Sequence, residues 1–118
     1  MKLSTVSDDG QVLSLRVIGR LRYEEVLHFG DEMGAMLGSA GYARRVVLDL
    51  GAVDFIDTTG VTWLLGRHKR FREAGGKLVI HSLAPASLEV LKVLKLHHVL
   101  HLADDEPSAL AMAREDHP

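Results

Sequence analysis

Residues 46–60 have the sequence VVLDLGAVDFIDTTG, an apolar run that leads into a polar corner. Within residues 46–50, every position except Asp49 is β-branched or aliphatic. Such a run is typical of a strand that is covered on both of its faces. We therefore expect a central, buried strand at this place in the chain.

The polar corner is followed by the periodicity of an amphipathic helix. Asp57 and the two threonines after it supply oxygens that can accept hydrogen bonds from the free N–H groups of a first helical turn, and Asp57 is the expected N-cap. Two stripes then recur at helical spacing. The apolar stripe, expected to face the core, consists of Val61, Leu64, Leu65, His68 and Phe71. The second stripe, expected to be open to a partner, consists of Trp63, Arg67 and Arg70.

Strand and helix patterns alternate along the rest of the chain. Asp8-Asp9-Gly10 is a turn sequence between two alternating segments, which predicts an opening hairpin. The overall order predicts an α/β fold in a single domain, residues 1–118, with a mixed β-sheet, an N-terminal antiparallel hairpin and about four helices. The other expected elements are hairpin strands over 3–7 and 11–18, a helix over 23–37, a strand over 78–81, a helix from about Pro85, a strand over 99–102 and a helix over 104–114.

The composition is that of one globular domain, with 118 residues, 47% of them apolar and 25% charged. A net charge of −2 argues against direct binding of nucleic acid, because neutralising phosphates requires a basic surface. The absence of cysteine excludes disulfides, thiol catalysis and cysteine-ligated zinc, and is typical of a cytoplasmic protein. No apolar run approaches the roughly 20 residues that span a bilayer. We therefore expect a cytoplasmic protein that does not cross a membrane.

The run FIDTTGVTWLL at residues 55–65, with GGKLVI at residues 75–80, resembles the STAS domain, and most closely its stand-alone members, the anti-sigma-factor antagonists. The resemblance covers nearly the whole chain and implies the STAS (SpoIIAA-like) fold. In that family the phosphoacceptor Ser or Thr follows an Asp at this corner. By resemblance, Thr58 is the phosphoacceptor and Asp57 its acidic neighbour. Thr59 is the second choice, because it does not directly follow the Asp.

The resemblance also implies a function in which the chain is ligand and substrate, not catalyst, and has no cofactor. Unphosphorylated, it would bind an anti-sigma factor that is a serine/threonine protein kinase, and so release the sigma factor. Phosphorylation of Thr58 by that kinase would end the binding, and a protein phosphatase would restore it. The alternative is a STAS subunit of a membrane transport complex, of lipid or ABC type, that docks on an ATPase through the same corner.

Thr58 has a simpler interpretation from the residues alone, because Thr and Asp before a helix are mostly caps. The resemblance favours phosphoacceptance, since the first turn of a helix offers a kinase a hydroxyl on a rigid corner. A phosphoryl group adds roughly −1.5 to −2 charges. The helix N-terminus would tolerate this charge, whereas Asp57 would repel it.

The predicted partner-binding surface extends beyond the corner. The stripe that carries Trp63 is either a solvated basic face or a docking surface, since Trp and Arg are frequent at interface hot spots. Arg22 stands where the family commonly carries an Asp, which leaves the class of partner open; Arg22 is either a surface residue or a partner for a phosphate on Thr58. The predicted partner-binding residues are Asp57, Thr58, Thr59, Trp63, Arg67, Arg70 and Arg22.

Other functional classes are disfavoured. His97, His98 and His101 are the one histidine cluster, but alternation along a short strand would separate them, so no metal site is expected. The glycine pair at residues 75–76 precedes a strand and lacks the spacing of a phosphate-binding P-loop. A response-regulator receiver domain phosphorylated on Asp54 remains a competing interpretation, but it would need an acidic pair after its first strand.

Overall fold

The computed structural model describes residues 1–21, 23–29 and 31–116. Five strands form one sheet in the order β1-β2-β3-β4-β5. The first two strands are antiparallel and the remaining neighbours are parallel, so the predicted mixed sheet with an opening hairpin is confirmed. The strands are β1 (Lys2–Asp8), β2 (Val12–Ile18), β3 (Arg45–Asp49), β4 (Lys77–His81) and β5 (His101–Ala103).

Five α-helices lie within the described residues, together with short 3-10 turns at Gly41–Ala43 and Leu96–His98. The prediction of one long helix over residues 23–37 was wrong. Two helices occupy this segment, and Asp31 caps the second by accepting a hydrogen bond from the Gly34 backbone N–H. The helices are α1 (Tyr23–Phe29), α2 (Glu32–Met36), α3 (Thr58–Glu73), α4 (Pro85–Val93) and α5 (Glu106–Arg114).

The last strand also begins later than the sequence predicted. Val99 is the C-cap of the 3-10 turn at Leu96–His98, and β5 starts at His101 instead of residue 99. His97 and His98 therefore lie on that turn, with ring centroids 3.9 Å apart, and not on a strand. The expectation that alternation along a strand separates them was wrong.

The two faces of the sheet are covered differently. On one face, Val47 and Val79 pack against Ala109 and Ala113 of α5. The other face forms the main core, in which the central-strand residue Leu48 is fully buried. The predicted burial of β3 on both faces is thus confirmed, and the carboxyl end of β3 is fixed by a rigid two-sided packing.

Two cations of the sheet hold the carboxyl end of α5. The Nζ of Lys77, a residue that is only 4% exposed, donates to the Met112 carbonyl at 2.7 Å. A guanidinium nitrogen of Arg45 donates to the carbonyls of Ala113 and Glu115, each at 2.8 Å. Positive charge at the C-terminus of a helix is favourable because the last carbonyls carry partial negative charge. The contacts therefore anchor α5 on the sheet by both charge and packing.

His68 and His81 are buried within the fold, at 7% and 2% exposure, and the burial of His68 confirms its predicted place on the apolar stripe of α3. Burial lowers the pKa of His68, and the neighbouring charge of Arg72 lowers it further. Burial also lowers the pKa of His81, against the opposing effect of nearby carboxylates. The Nδ1 of His81 lies 2.8 Å from the Ser82 hydroxyl oxygen. Both imidazoles are therefore neutral parts of the packed interior near pH 7.

Candidate functional site

The corner between β3 and α3 is organised by the carboxylate of Asp57. Its Oδ1 accepts a hydrogen bond from the Gly60 backbone N–H at 2.9 Å, which makes Asp57 the N-cap of α3, as predicted. Its Oδ2 accepts from the Tyr23 backbone N–H at 3.1 Å, in the first turn of α1. One side chain therefore satisfies free donors of two helices and fixes their relative position at the corner.

The backbone around this carboxylate is closely packed. Leu21 and Ile56 form an isolated parallel bridge, and the Asp57 backbone N–H donates to the Leu21 carbonyl at 3.4 Å. Gly60 lies against the same carbonyl: a Cβ at position 60 would stand 2.4 Å from the Leu21 oxygen and 2.8 Å from the Ile56 Cγ2. Only glycine fits here without displacing backbone, which holds the first turn of α3 in place.

Thr58 stands on this rigid corner as the first residue of α3, and it is exposed to solvent. Thr59 is half-buried. The Thr58 carbonyl accepts a hydrogen bond from the Thr62 hydroxyl at 3.0 Å, within the first turns of the helix. The corner thus presents a secondary alcohol to the surroundings, beside a carboxylate and at the positive end of a 16-residue helix.

Two exposed aromatic residues flank the corner, and the sequence pattern alone did not predict their role there. Phe55 is 48% exposed and precedes Asp57 by two positions. Tyr23 is 58% exposed, and its backbone nitrogen is the one that Asp57 binds. Phe55 could have been suspected from its place in the polar corner. Tyr23 could not, because its proximity depends on a contact across 34 positions of sequence.

The second stripe of α3 is not the open face that its spacing suggested. Trp63 is only 8% exposed and belongs to the main core, so the expectation that its ring is open to a partner was wrong. α3 packs against α1 and the 3-10 turn at Gly41–Ala43 as well as against β4, so more of its surface is covered than its own periodicity indicates. The periodicity of α3 alone carries no information about which other elements pack against it.

Arg67 and Arg70 are engaged with other parts of the fold. A guanidinium nitrogen of Arg67 lies 3.0 Å from a carboxylate oxygen of Asp31, and one of Arg70 lies 3.3 Å from the other. Tyr42 completes the cluster by donating its hydroxyl to Asp31 at 2.7 Å, while the Arg70 guanidinium stands 4.3 Å from the Tyr42 ring centroid. These contacts tie α2 to α3, and the Arg70 side chain keeps 46% exposure.

The ionisation of this cluster follows from its contacts. Burial acts to raise the pKa of Asp31, but the hydrogen bonds from Tyr42 and Gly34 and the charges of Arg70 and Arg67 outweigh it, so the pKa lies below its ordinary value. Burial and the bond to Asp31 raise the pKa of Tyr42. The two arginines therefore face a carboxylate that stays charged, which holds them in place.

Three further points concern Arg22, metal ligands and membrane-spanning helices. Arg22, a predicted partner-binding residue, lies outside the described residues. Among the residues that the structure describes, no three His, Cys, Asp or Glu side chains are arranged to hold a metal ion. Within the same ranges, no helix is both long enough and apolar enough to cross a membrane.

Comparison with known proteins places this geometry in a family. A model of the STAS domain matches residues 4–109. The chain belongs to the STAS domain family. This STAS domain is 35% identical to the BtrV protein of Bordetella bronchiseptica over 111 residues, covering 94% of the chain and 93% of the relative. It is 28% identical to the anti-sigma F factor antagonist of Paenibacillus polymyxa over 102 residues, covering 84% of each.

The solved structures agree on the fold. The anti-sigma factor antagonist SpoIIAA, in its unphosphorylated form, superposes on this STAS domain with a TM-score of 0.72, at 18% identity and over 96% of each chain. The expected STAS (SpoIIAA-like) architecture is thus confirmed, with five helices where about four were predicted, because the first helical segment is divided.

Proposed function

We propose that this protein is an anti-sigma factor antagonist that is switched by phosphorylation of Thr58. The observation that carries the proposal is the exposed residue Thr58, which directly follows Asp57 on a rigid corner of a STAS domain. The name of the Paenibacillus polymyxa relative supports the same role. In this proposal the chain acts as ligand and substrate, in the cytoplasm, and is not a catalyst.

The chemistry of the switch belongs to its partners. The anti-sigma factor, a serine/threonine kinase, would transfer the γ-phosphoryl group of ATP to the Thr58 Oγ1. A new P–O bond forms, the bond between the γ-phosphorus and the bridging oxygen breaks, ADP leaves, and the hydroxyl proton passes to a base of the kinase. A phosphatase would reverse the state by hydrolysis of the phosphoester with water.

The position of Thr58 explains how charge could change binding without unfolding the domain. A phosphoryl group adds roughly −1.5 to −2 charges. The N-terminus of α3 stabilises this charge, while the Asp57 carboxylate stays occupied with two backbone N–H groups. A partner surface that is apolar or acidic would therefore be repelled, whereas the two helices keep their cap.

The unphosphorylated form would bind through the surroundings of the same residue. Phe55 and Tyr23 supply exposed aromatic area beside Thr58, and aromatic side chains contribute strongly to protein interfaces. Arg70 supplies a half-exposed cation on α3. We place Trp63 and Arg67 behind this surface, where they support it from within the fold.

The test compares single variants with a purified anti-sigma kinase that binds the wild-type chain. Thr58→Ala should abolish phosphate incorporation from ATP, Thr58→Ser should retain it, and Thr59→Ala serves as the matched control. Mass spectrometry of the tryptic peptide locates the phosphate, and circular dichroism verifies folding. Incorporation that persists in Thr58→Ala and disappears in Thr59→Ala would assign the acceptor to Thr59 and refute the role of Thr58.

Binding is measured separately by calorimetry with the same kinase. Thr58→Asp should weaken the complex by about tenfold or more, because it places a charge at the interface. Phe55→Ala should also weaken it, while Val6→Ala, a truncation of a similarly exposed apolar residue on β1, should not. If affinity capture instead recovers a transport ATPase and no kinase, the alternative role in a transport complex replaces this proposal.

A further inference from the structure

A second apolar surface lies on α4, separate in sequence from the Thr58 corner. Val93 is 71% exposed, Leu94 is 54% exposed and Val90 is 40% exposed. At about 100° per residue these three side chains fall within one stripe of the helix roughly 100° wide. The inward face of the same helix is already satisfied, since Leu91 is fully buried and Ser87 is 3% exposed. The stripe is therefore apolar surface that the fold itself does not use.

The charges that flank the stripe are one acid and one base, because Lys92, the other charged residue of α4, falls about 150° from the centre of the stripe at helical spacing. Glu89 lies on the helix next to Val93, and Lys95 directly follows the C-cap residue Leu94. Both are exposed, and neither forms an ion pair with any residue that the structure describes. An anionic membrane or an acidic protein would favour an excess of cations around such a stripe. An acid at one end of the stripe and a base at the other suit a partner stripe that runs in the opposite direction, with its base facing this acid and its acid facing this base.

A second copy of this chain supplies that pattern. If two α4 helices pack antiparallel about a two-fold axis at the level of residue 92, Val90 of one copy faces Leu94 of the other. Val93 then packs beside its counterpart close to the axis. The same register places Glu89 opposite Lys95, and the two-fold symmetry repeats this pair. Apolar contact and charge pairing thus agree on one register.

We propose that α4 is a homodimer interface of this protein, formed by antiparallel packing of the Val90, Val93 and Leu94 stripe. A stable interface typically buries about 800 Å² on each partner, which exceeds what one seam of a nine-residue helix offers. The dimer is therefore weak and depends on concentration. The proposed dimer contact contains Val90, Val93 and Leu94 and does not include Thr58. The dimer proposal can therefore be tested independently of the proposed phosphorylation switch.

Sedimentation velocity on the full chain tests the interface from about 5 μM to about 500 μM, a range suited to a small interface. The average mass should rise from 13.0 kDa toward twice that value. Val93→Asp, which places two like charges beside the axis, should keep the protein monomeric. Val6→Asp adds the same charge to a 40% exposed valine on β1 and should leave the association unchanged.

Charge reversal tests the register itself. Glu89→Lys alone and Lys95→Glu alone should each weaken the dimer by about tenfold, because each makes both cross-axis pairs repulsive. An equimolar mixture of the two variants should regain association, since each pair is then opposite in charge again. Circular dichroism and urea unfolding verify that each variant is folded.

Four results would overturn the proposal. The first is a single 13.0 kDa species at every concentration. The second is a dimer that survives Val93→Asp or is lost equally with Val6→Asp. The third is a mixture of the charge variants that associates no better than either variant alone. The fourth is Val93-dependent flotation of the wild-type chain with phosphatidylglycerol vesicles, which would assign the stripe to a lipid surface.

Discussion

Two glycines of α3 allow the packing of the corner to be measured with one chemical change. At Gly60, an added Cβ would stand 2.4 Å from the Leu21 carbonyl oxygen and 2.8 Å from the Ile56 Cγ2. At Gly66, later in the same helix, no atom other than the glycine's chain neighbours and the adjacent backbone of the helix lies within 4 Å of the added Cβ. Gly60→Ala therefore introduces a clash with backbone, whereas Gly66→Ala only improves helix propensity.

The expected free energies of unfolding have opposite signs. Overpacking costs about 1–3 kcal/mol, so Gly60→Ala should lower stability by about 2 kcal/mol despite the better helix former. Gly66→Ala should raise stability by about 0.5–1 kcal/mol. In urea, with a slope of about 1–3 kcal/mol per molar, the two midpoints should differ by about 1 M or more.

Equilibrium urea unfolding followed by circular dichroism measures both variants in one series. The same helix, the same substitution and the same assay make Gly66→Ala the internal control for changes in the unfolded chain. The description of the corner would be refuted if both variants shifted the midpoint in the same direction by similar amounts. That result would show that the first turn of α3 can move away from the Leu21 carbonyl at little cost.

Two further predictions concern the cap and the buried histidines. Asp57→Ala removes hydrogen bonds to two helices and should cost about 2 kcal/mol in urea unfolding; Asp105→Ala, which removes the cap of α5 alone, should cost clearly less, and equal losses would contradict the double role. Because the pKa values of His68 and His81 are lowered, the unfolded chain binds more protons than the folded chain below the ordinary value of about 6.5. The free energy of unfolding should therefore fall as the pH drops from 7.5 to 5.5, and it should fall less steeply in His81→Gln. A rise in the free energy of unfolding over that range, or an unchanged slope in the variant, would show that the buried histidines are not the cause.

The elements that depend on residues close together in the sequence were predicted well. The apolar run at residues 46–50 predicted a central strand, and the oxygen-rich corner after it placed the N-cap of α3 at Asp57. Both depend on interactions between residues close in sequence, namely alternating burial and a side chain that caps its own helix. The exposure of Thr58 follows from the same cap geometry, since the first residue of a capped helix projects at its edge.

The features that the sequence did not reveal depend on contacts between distant segments. Trp63 is buried in the main core, and no periodicity within α3 reports on the other elements that pack against this helix. Arg67 is held by Asp31, a residue 36 positions earlier whose own cap divides the first helical segment in two. Tyr23 joins the corner only through its bond to Asp57. Tertiary packing decided each of these positions.

The buried ammonium group of Lys77 gives the fold a chemical reporter. Acylating reagents attack the free amine, and this nitrogen is bound to the Met112 carbonyl beneath the last turns of α5. Its reaction must wait until that helix lifts from the sheet, whereas Lys69 and Lys92 are exposed from the outset. Mass spectrometry can follow the acylation of each lysine separately. The delay of Lys77 acylation behind that of Lys69 and Lys92 would report how often α5 opens while the rest of the domain stays folded.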